Sequence, residues 1–323
     1  MRNENFPDPG SAEELERFAR LQRSLSPMFE RLLGDPGAPR TVIVAPSLSL
    51  DARELAKIAA VHHYEERLLC LLLQLHHPRT HLIFITSQPL DPAIVDYYLH
   101  LLPGIPTIHA RRRLTLLDCH DASLIPLTRK ILERPRLMQR IRDAIHDPDS
   151  AHLVCFSPSI LERTLAVRLN VPLYACDPAM SHLGRKSGCR TLFREAGVPL
   201  PDGFEQLRDT DDLVQGLTEL KQRHPDLGQA VVKLDEGFSG EGNALFNYDG
   251  LAADAGLERR IREELPRRLG FTAYQETWDD YRSKLEQMGG IVECFVDGAE
   301  NRSPSVQCRI DPRGRIELIS THE

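Results

Sequence analysis

The residue types best suited to binding or catalysis occur in an apolar strand that contains a lysine and is followed by a glycine-rich loop. Lys233 lies near the end of the strand, and the loop after it carries Gly237, Ser239, Gly240 and Gly242. A buried lysine is costly unless an anion meets it, and closely spaced glycines let successive N–H groups face phosphate oxygens. The alternative is a plain hairpin turn with Lys233 extended towards solvent at a strand edge. The segment alone favours neither interpretation.

Two further segments carry charged residues at positions that could serve a site. Lys186 opens a predicted helix, and a solvated first turn is the favoured interpretation of it in isolation. Glu293 interrupts an apolar strand, so its carboxylate needs a partner. Glu300 follows seven residues later, past a turn. Taken alone, this last segment could be an edge strand with a solvent-facing glutamate.

Composition excludes several classes of function. The net charge is −7, and no basic stripe suggests a nucleic-acid partner. The longest apolar stretch, residues 68–75, is too short to span a bilayer, and the amino terminus lacks the apolar core of a signal peptide, so we expect a cytoplasmic protein. The seven cysteines are scattered and never spaced as Cys-x-x-Cys. They predict mostly buried thiols rather than a zinc site or a catalytic cysteine.

Short strands alternate with helices in the first half of the chain. A long helix is expected at residues 52–75, and strands are expected at residues 41–45, 81–86, 113–117, 152–156 and 172–176. This alternation predicts βαβ units around a parallel sheet. The first turn has no Gly-x-Gly-x-x-Gly, so we expect a Rossmann-like layout without a dinucleotide fingerprint.

A different pattern begins near residue 180. A helix at residues 183–196 leads through Gly-Val-Pro-Leu-Pro into helices and hairpin-like strands, which indicate an α+β domain. We therefore expect an α/β protein in three parts. These are an N-terminal tail and helix (residues 1–39), a Rossmann-like domain with a parallel sheet (residues 40–180) and the α+β domain (residues 181–323).

The order of the three charged segments is similar to that of the ATP-grasp superfamily. More narrowly, the chain resembles peptide ligases of the pheganomycin type, which carry a pre-ATP-grasp domain. That narrower resemblance rests on segments spread over nearly the whole chain, at residues 63–67, 86–92, 239–244, 303–307 and 320–323. It implies that the Rossmann-like part is the pre-ATP-grasp domain and that the α+β part is an incomplete ATP-grasp domain.

The resemblance also implies roles for the phosphate-facing residues. Lys186 and Lys233 would contact the ATP phosphates from two sides. The backbone of residues 237–242 would fold over the β- and γ-phosphates as a lid. The adenine and ribose would be bound by residues of the strand that contains Glu293 and of the turn after it. Glu293 would lie near the adenine, the backbone through Phe295 would bind its edge, and Glu300 would reach the ribose hydroxyls.

The reaction that the resemblance implies is carboxylate–amine ligation. Attack of a carboxylate on the γ-phosphate would give an acyl phosphate, from which an amine would displace phosphate. The expected substrates are therefore small-molecule carboxylates and amines or peptides, and the expected cofactors are ATP and Mg²⁺. The metal ligands are expected beyond residue 323, so the chain is interpreted as a fragment that is inactive by itself, and a homodimer is left open. The alternatives are a non-catalytic ATP-binding module and a small-molecule kinase of the same architecture.

Overall fold

A computed structural model describes residues 6–49, 55, 58, 60–236, 240, 242–298, 302 and 304–323. The chain divides into two compact units. The first is Met1–Pro178 with Ser305–His322, and the second is Ala179–Pro304 with Glu323. The sequence does not predict the second break, because it assigns residues 305–322 to the α+β part.

The first unit is built on a four-stranded parallel sheet in the order β3-β2-β1-β4. Its strands are β1 (Arg40–Ala45), β2 (Thr80–Thr86), β3 (Leu114–Asp118) and β4 (Ala151–Cys155). The apolar residues of β1 and β2 are almost completely shielded from solvent, as expected for strands that helices cover on both faces. The predicted parallel sheet is confirmed.

Seven α-helices of the first unit surround this sheet within the part of the chain that the structure describes. They are α1 (Ala12–Gln22), α2 (Leu25–Gly34), α3 (Pro92–His100), α4 (Thr107–Arg111), α5 (Leu127–Leu132), α6 (Pro135–Ala144) and α7 (Ile160–Leu169). Glu14 joins α1 to α7, because its carboxylate accepts from Arg163 Nε at 3.2 Å and from Thr164 Oγ1 at 2.6 Å. The amino-terminal helix is therefore packed into the first unit.

The segment predicted as a long α-helix differs from that expectation. Its described part contains a 3₁₀ helix at Val61–His76. The buried side chains Leu69, Leu72 and Leu75 recur every three residues, which is the period of a 3₁₀ helix and not of an α-helix. This leucine row packs against apolar residues of the sheet.

The strand expected at residues 172–176 is also reduced. It consists of a single bridge between Leu153 and Leu173. Pro172 has no N–H group to donate to a ladder, which limits the pairing that this segment can form. The β4 edge of the sheet is therefore only briefly extended.

A hairpin of β10 (Ser305–Ile310) and β11 (Ile316–His322) groups with the first unit. Asp311 organises its turn, because its carboxylate accepts from the backbone N–H groups of Arg313 and Arg315 and from the Arg313 guanidinium. The same guanidinium lies 5.3 Å from the centroid of the Phe29 ring. This cation–π contact connects the hairpin turn to α2.

The second unit is an antiparallel sheet in the order β5-β9-β6-β7-β8, packed on helices. The strands are β5 (Gly203–Leu207), β6 (Gln229–Leu234), β7 (Asn243–Asn247), β8 (Leu269–Phe271) and β9 (Gly290–Cys294). The helices are α8 (Lys186–Glu195), α9 (Thr210–Arg223), α10 (Leu257–Arg268) and α11 (Trp278–Met288). Apolar residues of α9, α10 and α11 form one core with alternate residues of β6 and β7. The predicted combination of a parallel α/β part and an α+β part is confirmed.

Gly203 in β5 is a position that no larger residue fits. A Cβ atom there would lie 2.3 Å from the Val292 carbonyl oxygen and 2.8 Å from Glu293 Cα. Both are backbone atoms of β9, so the clash can be relieved only by separating two strands. We expect Gly203→Ala to lower the free energy of unfolding by about 3 kcal/mol, measured in urea. Gly228→Ala is the control, because its Cβ would meet nothing within 4 Å; equal effects of the two changes would contradict this packing.

A half-buried histidine, His152, predicts loss of stability in acid. Burial, aided by the Arg40 guanidinium, lowers the pKa of His152 from 6.5 to about 4. The unfolded chain therefore binds more protons than the folded chain between these values, so stability rises with pH across this window and is lost as pH falls through it. We expect His152→Phe to reduce the slope of unfolding free energy against pH by at most ~1.4 kcal/mol per pH unit. His109→Phe, at an exposed histidine, should leave the slope unchanged; identical slopes in both variants would refute the assignment.

The cysteines are less buried than the sequence predicts. All seven are free thiols, and Cys70, Cys176 and Cys308 are exposed, whereas only Cys119 is buried. The expectation of mostly buried thiols is therefore wrong, because Cys70 lies on the outer side of the 3₁₀ helix and Cys308 lies in the hairpin.

None of the helices in the described ranges has both the length and the apolar character to cross a membrane.

Candidate functional site

Lys233 and Glu293 form an ion pair across two neighbouring strands. Lys233 Nζ lies 2.5 Å from Glu293 Oε1. In the antiparallel register Glu293 is opposite Val231, and Lys233 is opposite Ile291, so the two charged residues are diagonal neighbours on one face of the sheet. The exposed fraction is 11% for the Glu293 side chain and 29% for Lys233. The partner that a glutamate in an apolar strand requires is therefore the strand lysine.

A second cation, Arg190 of α8, holds the other oxygen of Glu293. Its Nη1 lies 2.7 Å from Glu293 Oε2, and its Nε lies 3.3 Å from Glu205 Oε2 on β5. Its Nη2 donates to the Pro201 carbonyl oxygen at 3.0 Å. The Arg190 side chain is only 6% exposed, and each of its three nitrogens has a partner. This arginine is therefore held in a single position by charge-assisted hydrogen bonds.

These residues belong to one charge cluster, which also contains Arg194. Arg194 Nη2 lies 2.5 Å from Glu205 Oε1 and is more than half exposed. The charge cluster is thus Lys233, Glu293, Arg190, Glu205 and Arg194. Three cations face two carboxylates, which leaves an excess of one positive charge. This sign of charge suits an anionic ligand.

The first turn of α8 is bonded to the junction between β6 and the glycine loop. Asp235 Oδ1 accepts from Ser187 N at 2.8 Å, and the Asp235 carbonyl oxygen accepts from Lys186 N at 3.4 Å. Asp235 is buried and follows Lys233 by two residues. The two lysines predicted from the sequence are therefore brought to the start of the same loop.

The described residues of the glycine loop lie between the paired strands β6 and β7. Gly240 has a φ of +84°, a conformation that favours glycine. The Gly242 carbonyl oxygen accepts from Leu234 N at 2.9 Å and from the Tyr281 hydroxyl at 3.0 Å. Because Tyr281 is fully buried in the core, it anchors the returning end of the loop. Strands β6 and β7 form an antiparallel pair, and the predicted contact of the loop with phosphate stays a prediction.

The remaining predicted residues are only partly described. Gly237, Ser239 and Glu300 lie outside the described residues, and their roles stay predictions. Phe295 N donates to the Gln229 carbonyl oxygen at 3.1 Å. This bond continues the ladder between β6 and β9, and the predicted contact of the backbone through Phe295 with the adenine edge stays a prediction.

Sequence reasoning missed Arg190, Arg194 and Glu205. Lys186, Arg190 and Arg194 recur every four residues, the spacing at which helical side chains share one face. That periodicity could have identified the cationic face of α8. No local signal points to Glu205, because its partners come from another element and its strand pairs with a distant part of the chain.

The described residues fit a polyphosphate better than they fit a metal ion. Among them, no group of three or more His, Cys, Asp or Glu side chains could hold a metal, although Mg²⁺ requires oxygen ligands that are often carboxylates. By contrast, the lysines and the glycine turn carry N–H groups that can donate to phosphate oxygens.

Comparison with known proteins relates this region to a defined family. Residues 178–269 match the family model described as IQCH-like, ATP-grasp. Over 299 residues the chain is 29% identical to L-propargylglycine–L-glutamate ligase of Streptantibioticus cattleyicolor, which covers 90% of this chain and 59% of that protein. It is 21% identical over 351 residues to IQ motif-containing protein H of Danio rerio, which covers 95% of this chain and 33% of that protein. The chain thus spans less than two thirds of each of these relatives.

Solved structures that resemble the chain share less sequence identity with it. The ADP complex of N5-carboxyaminoimidazole ribonucleotide synthetase covers 88% of this chain and 53% of its own, with a TM-score of 0.45 and 11% identity. D-alanyl-alanine synthetase A of Vibrio cholerae covers 88% and 66%, with a TM-score of 0.40 and 10% identity. These TM-scores are too low to support a fold assignment, so the similarity to the family rests on the sequence matches alone. The chain is therefore similar to the ATP-grasp family at residues 178–269 and resembles the peptide-ligase group of that superfamily.

Proposed function

We propose that the second unit binds ATP and that the chain is part of an enzyme that joins a carboxylate to an amine. The observation that carries this proposal is a coincidence of two independent features. The ATP-grasp match at residues 178–269 contains Lys186, Arg190 and Lys233, and the structure brings these residues to one strand–loop junction and its charge cluster. One of the two relatives is named as a ligase of L-propargylglycine and L-glutamate, which supports the reaction class.

In this proposal Lys233 changes partners when nucleotide binds. Its ammonium is partly exposed at the end of a flexible side chain, so it can turn from Glu293 to a phosphate oxygen without moving the strand. Arg190 stays 2.7 Å from the other oxygen of Glu293. It thereby prevents the carboxylate from being left buried and unpaired, a state that is strongly unfavourable. Arg190 therefore lowers the free-energy cost of moving the Lys233 ammonium from Glu293 to a phosphate oxygen.

Bound ATP would supply the phosphoryl group that activates the carboxylate. The residues of this chain would bind and orient it, with Lys186 approaching from α8, Lys233 from β6 and backbone N–H groups from the turn at Gly240. Catalysis of this kind rests on positioning and charge neutralisation rather than on a protein nucleophile. The proposed substrates are carboxylates and amines of the amino-acid or small-peptide class, and the proposed location is the cytoplasm.

The reaction class is tested by ATP turnover with Mg²⁺ and pairs of amino acids, in the full-length product of the gene. We expect ADP release that requires both a carboxylate and an amine, together with an amide product identified by mass, and we expect both to be lost in Lys233→Met. ADP release with a phosphorylated hydroxyl and no need for an amine would make the protein a kinase instead. ATP binding without turnover for every pair would leave only a nucleotide-binding module.

A further inference from the structure

The first unit contains a cavity that no part of the proposed nucleotide site uses. Its volume is about 410 Å³, which is within the usual range of small-molecule sites. It lies between α2, the 3₁₀ helix, the β1–β4 face of the sheet and the hairpin β10–β11. Its apolar lining includes Leu25, Met28, Phe29, Leu32, Leu71 and Val154. The cavity is thus a largely apolar chamber within one unit.

Three neutral polar side chains line this cavity and make no side-chain hydrogen bond to any other described residue. They are Gln74, His152 and Tyr174. The only buried unpartnered atom among them is His152 Nδ1, so His152 Nε2, the Tyr174 hydroxyl and the Gln74 amide are unpartnered but accessible. The His152 and Tyr174 rings meet edge to face, with centroids 6.0 Å apart. These groups can bond a ligand without first breaking an internal bond.

The charged lining of the cavity is cationic. Arg40 and Arg309 line it, and no carboxylate does. Arg309 is already paired with Glu317. Arg40 donates from Nη2 to the Pro36 carbonyl oxygen at 2.5 Å, while its Nη1, unlike its buried Nε, is accessible and makes no hydrogen bond to a described residue. A half-buried guanidinium with incomplete hydrogen bonding is stabilised by an anion, so Arg40 is the natural counter-ion for an acidic ligand.

We propose that this cavity binds a small aromatic monocarboxylic acid. The carboxylate lies against Arg40, with the Tyr174 hydroxyl and His152 Nε2 as neutral partners. The aromatic body lies on the apolar lining, beside Phe29 and Leu71. The assignment is independent of the proposed nucleotide site, because every residue that it uses belongs to the first unit.

The test is calorimetric titration of the full chain with 4-phenylbutyrate and with its neutral counterpart 4-phenylbutanol. We expect the acid to bind about tenfold more tightly than the alcohol, as one charge-assisted hydrogen bond provides. Arg40→Gln should abolish this preference. Arg112→Gln, the same change at an exposed arginine outside the cavity, should preserve it. Equal affinity for acid and alcohol, or no binding of either at millimolar concentration, would overturn the proposal.

A second pair of variants tests the location. Leu71→Trp places an indole in the chamber and should weaken both probes by about tenfold or more, because the volume for the aromatic body is lost. Tyr174→Phe keeps the ring and should weaken only the acid, by about threefold to tenfold, through loss of one hydrogen bond. Circular dichroism establishes that each variant is folded; if Leu71→Trp does not fold, Tyr174→Phe and Arg40→Gln decide. Unchanged affinity in folded Leu71→Trp or in Tyr174→Phe would place the ligand elsewhere and refute the assignment.

Discussion

Replacing Arg190 by leucine should destabilise the second unit by about 3–5 kcal/mol. The change removes the guanidinium that neutralises Glu293 and Glu205 and bonds the Pro201 carbonyl oxygen. Glu293 is then left with Lys233 alone, and Glu205 with the exposed Arg194. The measurement is the free energy of unfolding in urea of the full chain, followed by a probe of the second unit such as the single tryptophan, Trp278.

The matched control for this change is Arg194→Leu. Arg194 lies one turn further along α8 and pairs with the same Glu205, but more than half of its side chain is exposed. Exposed pairs contribute little, so we expect a loss of at most about 1 kcal/mol. The double change Arg190→Leu with Glu293→Leu should recover part of the stability, because the buried Glu293 carboxylate is removed together with its guanidinium partner. Equal losses for Arg190→Leu and Arg194→Leu would show that the charge cluster does not stabilise the unit as described.

Replacing Lys130 by methionine should destabilise the first unit by about 3 kcal/mol. Lys130 on α5 is 1% exposed, and its Nζ donates to Ser87 Oγ at 3.0 Å and to the Asp121 carbonyl oxygen at 2.9 Å. Ser87 donates its hydroxyl to Glu65 at 2.6 Å. Without the ammonium, Ser87 and the Asp121 carbonyl lose a buried donor, and Glu65 loses a nearby positive charge.

The pH dependence of that loss distinguishes this mechanism from simple loss of packing. Burial raises the pKa of Glu65, and the Lys130 charge opposes that rise. Removing Lys130 should therefore raise the pKa of Glu65 further. A glutamate with a raised pKa contributes stability at low pH that is lost as pH rises through the folded pKa, so the deficit of Lys130→Met should be larger at pH 8 than at pH 5. Arg129→Met, at the exposed neighbouring position, should show neither the deficit nor its pH dependence; a deficit that is constant with pH would contradict the coupling.

Local patterns in the sequence predict the scaffold of both units. The alternation of short β-branched strands with helices predicts the parallel sheet, because strand and helix periods are properties of each segment alone. The Lys233 strand and its glycine loop are likewise visible, because the loop needs glycine at a position such as Gly240 with its positive φ. Residues that carry a signal within a few positions can be predicted in this way.

Pairings between distant segments could not be predicted. That Glu293 needs a partner follows from its place in an apolar strand, but the identity of that partner depends on the register of β6 against β9 and on the packing of α8. The 3₁₀ winding at Val61–His76 is also tertiary in origin, because it places Leu69, Leu72 and Leu75 on the core side. The position of the hairpin could not be predicted either, because it depends on a contact between Arg313, late in the chain, and Phe29 of α2, near its beginning.

The central claim is that the second unit binds the phosphates of ATP through Lys233, and calorimetric titration of ATP into three proteins tests it most directly. These are the unchanged chain, Lys233→Met and Lys284→Met. Lys284 is the matched control, because it also pairs with a glutamate at 2.5 Å in the same unit but is not part of the charge cluster. The account predicts that ATP affinity falls about 10–100-fold in Lys233→Met and is preserved in Lys284→Met. Equal affinity in all three proteins, or no binding of ATP by the unchanged chain, would contradict it.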